Sequence, residues 1–170
     1  MNCSNCGAAV RVEQGRLPEC GYCRSTHAPA IGQDGVRVTG GPVGRDCPIC
    51  SIPLVAGAAG RFPVAVCPRC AGLLVSMRSF AKLAGHLRSV SRKSEEAPEP
   101  PDPAELERRL FCPGCGAHMH THRYCGPGNI VIDNCAVCEL NWLDERELQR
   151  VATAPDASDV LPRRHFGELA

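Results

Sequence analysis

Cys112-Pro-Gly-Cys115, nineteen further residues, Cys135-Ala-Val-Cys138, then Trp142-Leu143-Asp144 and Glu147-Leu148: this stretch decides how the chain is read. Two Cys-x-x-Cys pairs face each other across a segment long enough for a β-hairpin. A helix start follows, with Asp144 as cap and Glu147 three residues on. The same grammar recurs upstream. Twelve of the thirteen cysteines fall into six such pairs, 3/6, 20/23, 47/50, 67/70, 112/115 and 135/138, and only Cys125 is left over.

The bulk composition agrees with small repeated units rather than one large core. Aromatic residues make up 4% of the 170 residues, while there are 17 Gly and 15 Pro. A chain so poor in large side chains cannot fill a sizeable single core. Two readings compete for the cysteines: a secreted disulfide scaffold, and intracellular metal sites. The chain opens Met1-Asn2-Cys3 with no apolar signal segment, and no run approaches transmembrane length. A cytoplasmic, bacterial-type protein is expected on that basis. Two residues between paired cysteines also suit two thiolates on one metal. The expected ligands are Cys3, Cys6, Cys20 and Cys23; Cys47, Cys50, Cys67 and Cys70; and Cys112, Cys115, Cys135 and Cys138. Each quartet is a closed tetrahedral cage, so three structural Zn²⁺ ions are expected. Three filled sites at −2 each take the formal net charge from +1 to −5.

Taken in order, residues 1–27 form a first short unit. Ala8 to Val12, a Gln14-Gly15 turn and Arg16-Leu17 read as its hairpin. Gly7 and Gly21 stand where a backbone wrapping a metal needs positive φ. Residues 28–46 read as a linker, with a small hairpin around Asp34-Gly35 between Ile31 and Val36-Arg37-Val38. Residues 47–90 are the second unit: strand 52–55, turn 57–60, strand 62–66, then Ser76 capping a helix over about 77–90. Residues 91–103, with four prolines, read as a mobile linker, and 104–111 as a short helix after the Asp102 cap. Residues 112–153 are the third unit, with strands 117–124 and 129–133 around Gly126-Pro127-Gly128. Trp142 is expected to cover its metal knuckle. Residues 154–170 are a patternless tail.

Two further features carry chemistry. From 47 to 94 the chain has seven Lys/Arg (Arg61, Arg69, Arg78, Lys82, Arg88, Arg92, Lys93) and no Asp or Glu. They read either as a solvated helix face or as a patch for nucleic acid or an acidic partner protein. By contrast, 112–154 holds three Arg against five Asp/Glu. The second feature is His118, His120 and His122, which alternation puts on one strand face. With Cys125 they read either as a further metal or redox site or, the favoured reading, as an exposed polar face. No nucleophile–base pattern, phosphate loop or paired-carboxylate spacing stands out.

The third unit resembles the prokaryotic zinc-ribbon family named for its similarity to the ribbon of transcription factor IIB. Cys112, Pro113 and Cys115 match that pattern's first knuckle. Cys135, Cys138, Trp142, Leu143, Asp144, Glu147 and Leu148 match the second part in register. Ala136, Glu139, Leu140 and Arg146 depart from it. The second unit is a degenerate copy in which Leu74, Val75, Ser76, Ser79 and Phe80 replace Trp, Leu, Asp, Glu and Leu, and the first shares only its cysteines. The resemblance implies a small metal-stabilised α+β fold of three zinc ribbons, the second and third each followed by a short helix. It says little about activity. The expected function is a non-enzymatic zinc-binding adaptor that contacts protein or nucleic acid, transcription being one setting. The alternatives are a thiol-redox or zinc-handling protein and a rubredoxin-like iron electron carrier.

Overall fold

A computed structural model describes Cys3 and residues 5–9, 20–25, 34–96 and 98–155. Most of the hairpin expected in the first unit, Ile31 and residues 156–170 lie outside the described residues. The chain forms β1 (Val36–Asp46), β2 (Pro53–Ala59), β3 (Phe62–Val66), β4 (Leu73–Ser76), α1 (Met77–Val90), α2 (Pro103–Glu107), β5 (His120–Arg123), β6 (Val131–Cys135), β7 (Leu140–Leu143) and α3 (Glu147–Thr153).

The seven strands make one antiparallel sheet in the order β1-β2-β3-β4-β7-β6-β5. The second and third units are therefore not beads on a string. Each alone would leave a short apolar strand, β4 or β7, with an unpaired edge, and such edges seek a partner. Here each covers the other. Aligned on their cysteines, Leu74 of the second unit corresponds to Trp142 of the third. These two residues also face each other across the seam, flanked by Leu73 opposite Leu143 and Val75 opposite Asn141. A local two-fold axis thus passes between Leu74 and Trp142.

Alternation along the strands sorts the side chains into two layers. Leu73, Val75, Ile132 and Leu143 face the helices and pack with Phe80, Leu83, Leu148 and Val151. Leu54, Leu74, Met119, Leu140 and Trp142 face the other way and pack with the cysteines of both units. The sheet carries α1 and α3 on one face and the second and third cysteine quartets on the other. Trp142 is fully buried, and its indole packs closely against Gly72 in the neighbouring unit. A Cβ at Gly72 would stand 2.3 Å from the ring, so only glycine fits there. Trp142 packs in the layer that holds the cysteines of both units, and it reaches across the seam to Gly72, two residues after Cys70.

Two segments expected as linkers are built into this body. Residues 36–46 form β1, which runs beside β2 with Val36 opposite Ala59 and Asp46 opposite Pro53. The expected Asp34 turn has a different purpose. The Asp34 carboxylate accepts hydrogen bonds from the backbone N–H groups of Arg146 (2.8 Å) and Gln149 (2.9 Å) at the start of α3. The residue at that helix start, Arg146, is left-handed (φ +71) and offers no cap of its own. A carboxylate from far back in the chain therefore satisfies the free N–H groups and meets the positive end of the helix dipole. Replacing Asp34 with Ala is expected to cost about 1–2 kcal/mol of stability, read from denaturant midpoints, with Asn losing roughly half as much.

Residues 91–103 are likewise fastened. Ser94 N–H donates to the Thr153 carbonyl, and the carbonyls of Pro98 and Glu99 accept from Asn129 and Arg150. Helix α2 ends at Glu107 rather than continuing to 111. Beyond it Arg108 turns inward to Asp133 and Asp144, the Leu110 carbonyl accepts from Met119 N–H, and Phe111 bridges to His118. In the first unit, Cys3 and Cys20 are buried and pack with Ala8 and Cys23 in a small cluster of their own.

Candidate metal centres

Each Cys-x-x-Cys pair folds as the same local device. In five of the six, the carbonyl of the first cysteine accepts from the N–H four residues on (Gly7, Arg24, Ser51, Ala71, Gly116), and its own N–H donates to the carbonyl five residues on. The residue directly after the second cysteine is left-handed in all six: Gly7 at φ +74, Arg24 at +58, Ser51 at +53, Ala71 at +56, Gly116 at +72 and Glu139 at +52. Gly21 is not in that region, and Arg24 holds the position instead. A side chain in this conformation costs about 1–2 kcal/mol. Ala71→Gly and Glu139→Gly are therefore expected to stabilise the folded protein by about 0.5–1 kcal/mol, and Gly116→Ala to destabilise it by about 1 kcal/mol. Thermal midpoints of the metal-loaded variants check this; a neutral Gly116→Ala contradicts it.

The six devices meet in three quartets: Cys3/Cys6/Cys20/Cys23, Cys47/Cys50/Cys67/Cys70 and Cys112/Cys115/Cys135/Cys138. Within each, all four Sγ atoms lie within 4.8 Å of one another. Closest Sγ–Sγ approaches are 3.5 and 3.6 Å in the first, 3.7 Å in the second and 3.6 Å in the third. A disulfide requires about 2.05 Å, so these are thiol pairs. A tetrahedral metal at about 2.3 Å from each sulfur sets the sulfurs about 3.8 Å apart, and the quartets match that edge. Backbone N–H groups point at the sulfurs, among them Cys50 N–H to Cys47 (3.2 Å) and Cys138 N–H to Cys135 (3.4 Å). Such donors stabilise thiolate.

The electrostatics of the third quartet show what a cation contributes. The Cys138 N–H bond chiefly brings Cys135 down to about 7. The neighbouring Cys115 thiol chiefly pushes Cys138 up to about 12. Four negative sulfurs cannot share so small a volume unaided; a divalent cation removes the repulsion and supplies folding free energy. The twelve expected ligands are thus all brought together, and the donor set fits zinc or iron, both of which take tetrahedral thiolate sites.

Around the third centre lies a polar network that the sequence pattern does not announce. Asp133 is fully buried on β6. Arg108 forms ion pairs with it and with Asp144, and Thr121 Oγ1 donates to it. Asp144 accepts from Trp142 Nε1 (3.1 Å) instead of capping α3. Glu147, also buried, accepts from the N–H groups of Val131 (2.9 Å) and Asp144 (2.7 Å). Burial raises its carboxyl to about 8 despite those donors. The Trp-Leu-Asp-x-x-Glu-Leu string is therefore the internal wiring of the unit. Only a long-range view could reveal Arg108, which sits beyond an unremarkable short helix.

The basic residues divide. Arg88 donates to the carbonyls of Val151 (3.0 Å) and Ala154 (2.9 Å), and Lys93 to those of Arg88 and Ala152. Both fasten the end of α3. Arg61, Arg69, Arg78, Lys82 and Arg92 are exposed. The histidines also divide: His118 packs edge-on against Phe111, whereas His120 and His122 face each other on β5. Cys125 is exposed and joins no quartet.

No family model matches this chain, and neither does any curated protein or solved structure. No helix among the described residues is long and apolar enough to cross a membrane.

Proposed function

We propose that this chain is a non-enzymatic zinc-binding adaptor of the zinc-ribbon kind, with three structural four-cysteine zinc centres and exposed basic residues on its second unit that contact nucleic acid or an acidic protein. The carrying observation is the closed donor set: four cysteine sulfurs within 4.8 Å in every quartet. Four protein ligands complete a tetrahedron and leave no position for a substrate water, which is the signature of a structural rather than catalytic metal.

The binding surface follows from charge. Arg61, Arg69, Arg78, Lys82 and Arg92 are exposed on a unit that has no acidic residue between 47 and 94. Phosphate contacts through such residues release counterions, so binding weakens steeply with salt. Titration of the zinc-loaded protein with single- and double-stranded nucleic acid at increasing salt is expected to give a log–log slope of about −3 to −5, one unit per contact. Absence of binding at low salt leaves an acidic protein as the partner, to be captured from cytosol after nuclease treatment.

A thiol-redox or zinc-releasing role is the second reading, favoured by the exposure of Cys6 and Cys115 within their quartets. Zinc retained under mild peroxide overturns it. A rubredoxin-like iron centre is distinguished by colour, since a zinc protein has none.

A further inference from the structure

Beyond the three quartets, the helix-side face of the sheet carries a polar cluster at the outer edge. His120 and His122 lie two apart on β5, and Asn134 lies opposite His120 on β6. The Nδ1 atoms of His120 and His122 are 3.3 Å apart, with ring centroids 5.1 Å apart. The Asn134 side-chain amide is 3.5 Å from His122 Nδ1, and the His120 carbonyl oxygen is 3.4 Å from it. We propose that His120, His122 and Asn134 form a fourth, exchangeable site for a borderline divalent transition-metal ion such as Zn²⁺ or Ni²⁺.

The geometry carries this in three ways. Two imidazole nitrogens on one tetrahedral ion at about 2.0–2.1 Å stand about 3.3–3.4 Å apart, which is the observed spacing. The register then brings a third donor beside them, because Asn134 sits directly across from His120 with its side-chain amide 3.5 Å from His122 Nδ1. Its carbonyl oxygen and NH₂ exchange places by a half-turn of the amide, so the oxygen can face the ion. Finally, His120 is exposed and His122 partly so, which leaves the remaining coordination positions to water. Imidazole donors select Zn²⁺, Ni²⁺ and their neighbours over Mg²⁺ and Ca²⁺, which require oxygen. The contrast with the quartets is chemical. Those are closed cages of charged sulfur; this is an open site of neutral donors that loads and unloads with the free ion.

A simple hydrogen bond between the two rings is the competing account, and zinc counting separates the two. Protein with its three quartets filled is dialysed to equilibrium against submillimolar zinc and its metal content measured. Wild type is expected to take up a fourth zinc. His120→Ala/His122→Ala is expected to stop at three with an unchanged thermal midpoint, showing that the fold and quartets are intact. Each single variant should lose at least about tenfold in affinity for the fourth ion. His118→Ala should retain it. Asn134→Asp, which replaces a neutral donor with a charged one, should tighten it. A wild type that stops at three, or a double variant that still takes up the fourth, overturns the site. Unchanged affinity in Asn134→Asp overturns the three-donor geometry.

Discussion

Replacing Cys47 and Cys50 together with serine is expected to cost the protein two metal ions rather than one. Independent modules would lose only the second centre. Here the third unit draws part of its core from the second: β7 is paired to β4, Trp142 lies on Gly72, and the helix-side cluster joins α1 to α3. A unit of some 40 residues cannot bury enough apolar surface to fold unaided, and its metal supplies on the order of 10 kcal/mol. Remove the second centre, and β4 loses its order along with the surface that Trp142 covers. The same coupling governs chelation. The protein has one tryptophan, so its emission reports this core directly. Chelator titration is expected to remove two ions in one cooperative step, with a red shift of Trp142 and loss of helix. The ion of the first unit should leave separately and without change in emission. Three independent steps, or a double variant that keeps two ions, would refute the coupling.

Arg108→Met is expected to destabilise the metal-loaded protein by about 3–5 kcal/mol, the usual cost of stranding a buried charge. The Asp133 side chain is fully buried, and Arg108, itself only 18% exposed, is its cationic partner. Without the guanidinium, Asp133 keeps only the Thr121 hydroxyl, and Asp144 loses one of the contacts that fix it beside Trp142. Removing the acid as well should restore much of the loss. Arg108→Met/Asp133→Leu is expected to be more stable than Arg108→Met alone, because replacing an ion pair by apolar groups costs far less than halving it. Urea midpoints decide the matter. A cost below about 1 kcal/mol for Arg108→Met would mean that the pair behaves like a surface ion pair.

The parts of this protein legible in its sequence are those fixed by local chemistry. Cys-x-x-Cys spacing states its geometry within four residues, and so the three quartets are readable. What lies between distant residues is not. Nothing near Asp34 indicates a helix more than a hundred residues later, so it reads as a turn. Nothing near Val36–Asp46 shows that its partner is β2, because its glycines and Pro42 look like a linker. Nothing near Gly72 shows why it must be glycine; the reason, the indole of another unit, emerges only when β4 and β7 pair. The left-handed Arg24, Ser51, Ala71 and Glu139 are hidden for the opposite reason. Glycine advertises that conformation, and these positions adopt it without glycine because the turn of the Cys-x-x-Cys knuckle requires it.

The axis between Leu74 and Trp142 has a consequence for mass action. An interface joining two separate units through the same strand would come apart on dilution, because its partners must find each other. Here the tether from α1 to β5 holds the two halves at a fixed effective concentration, whatever the abundance of the protein. Tethering also frees the halves to differ. Two identical copies must place the same side chain on both sides of their axis, and two bulky indoles would compete for that space. One chain can set leucine against tryptophan, keep one half basic and the other acidic, and still close a single sheet.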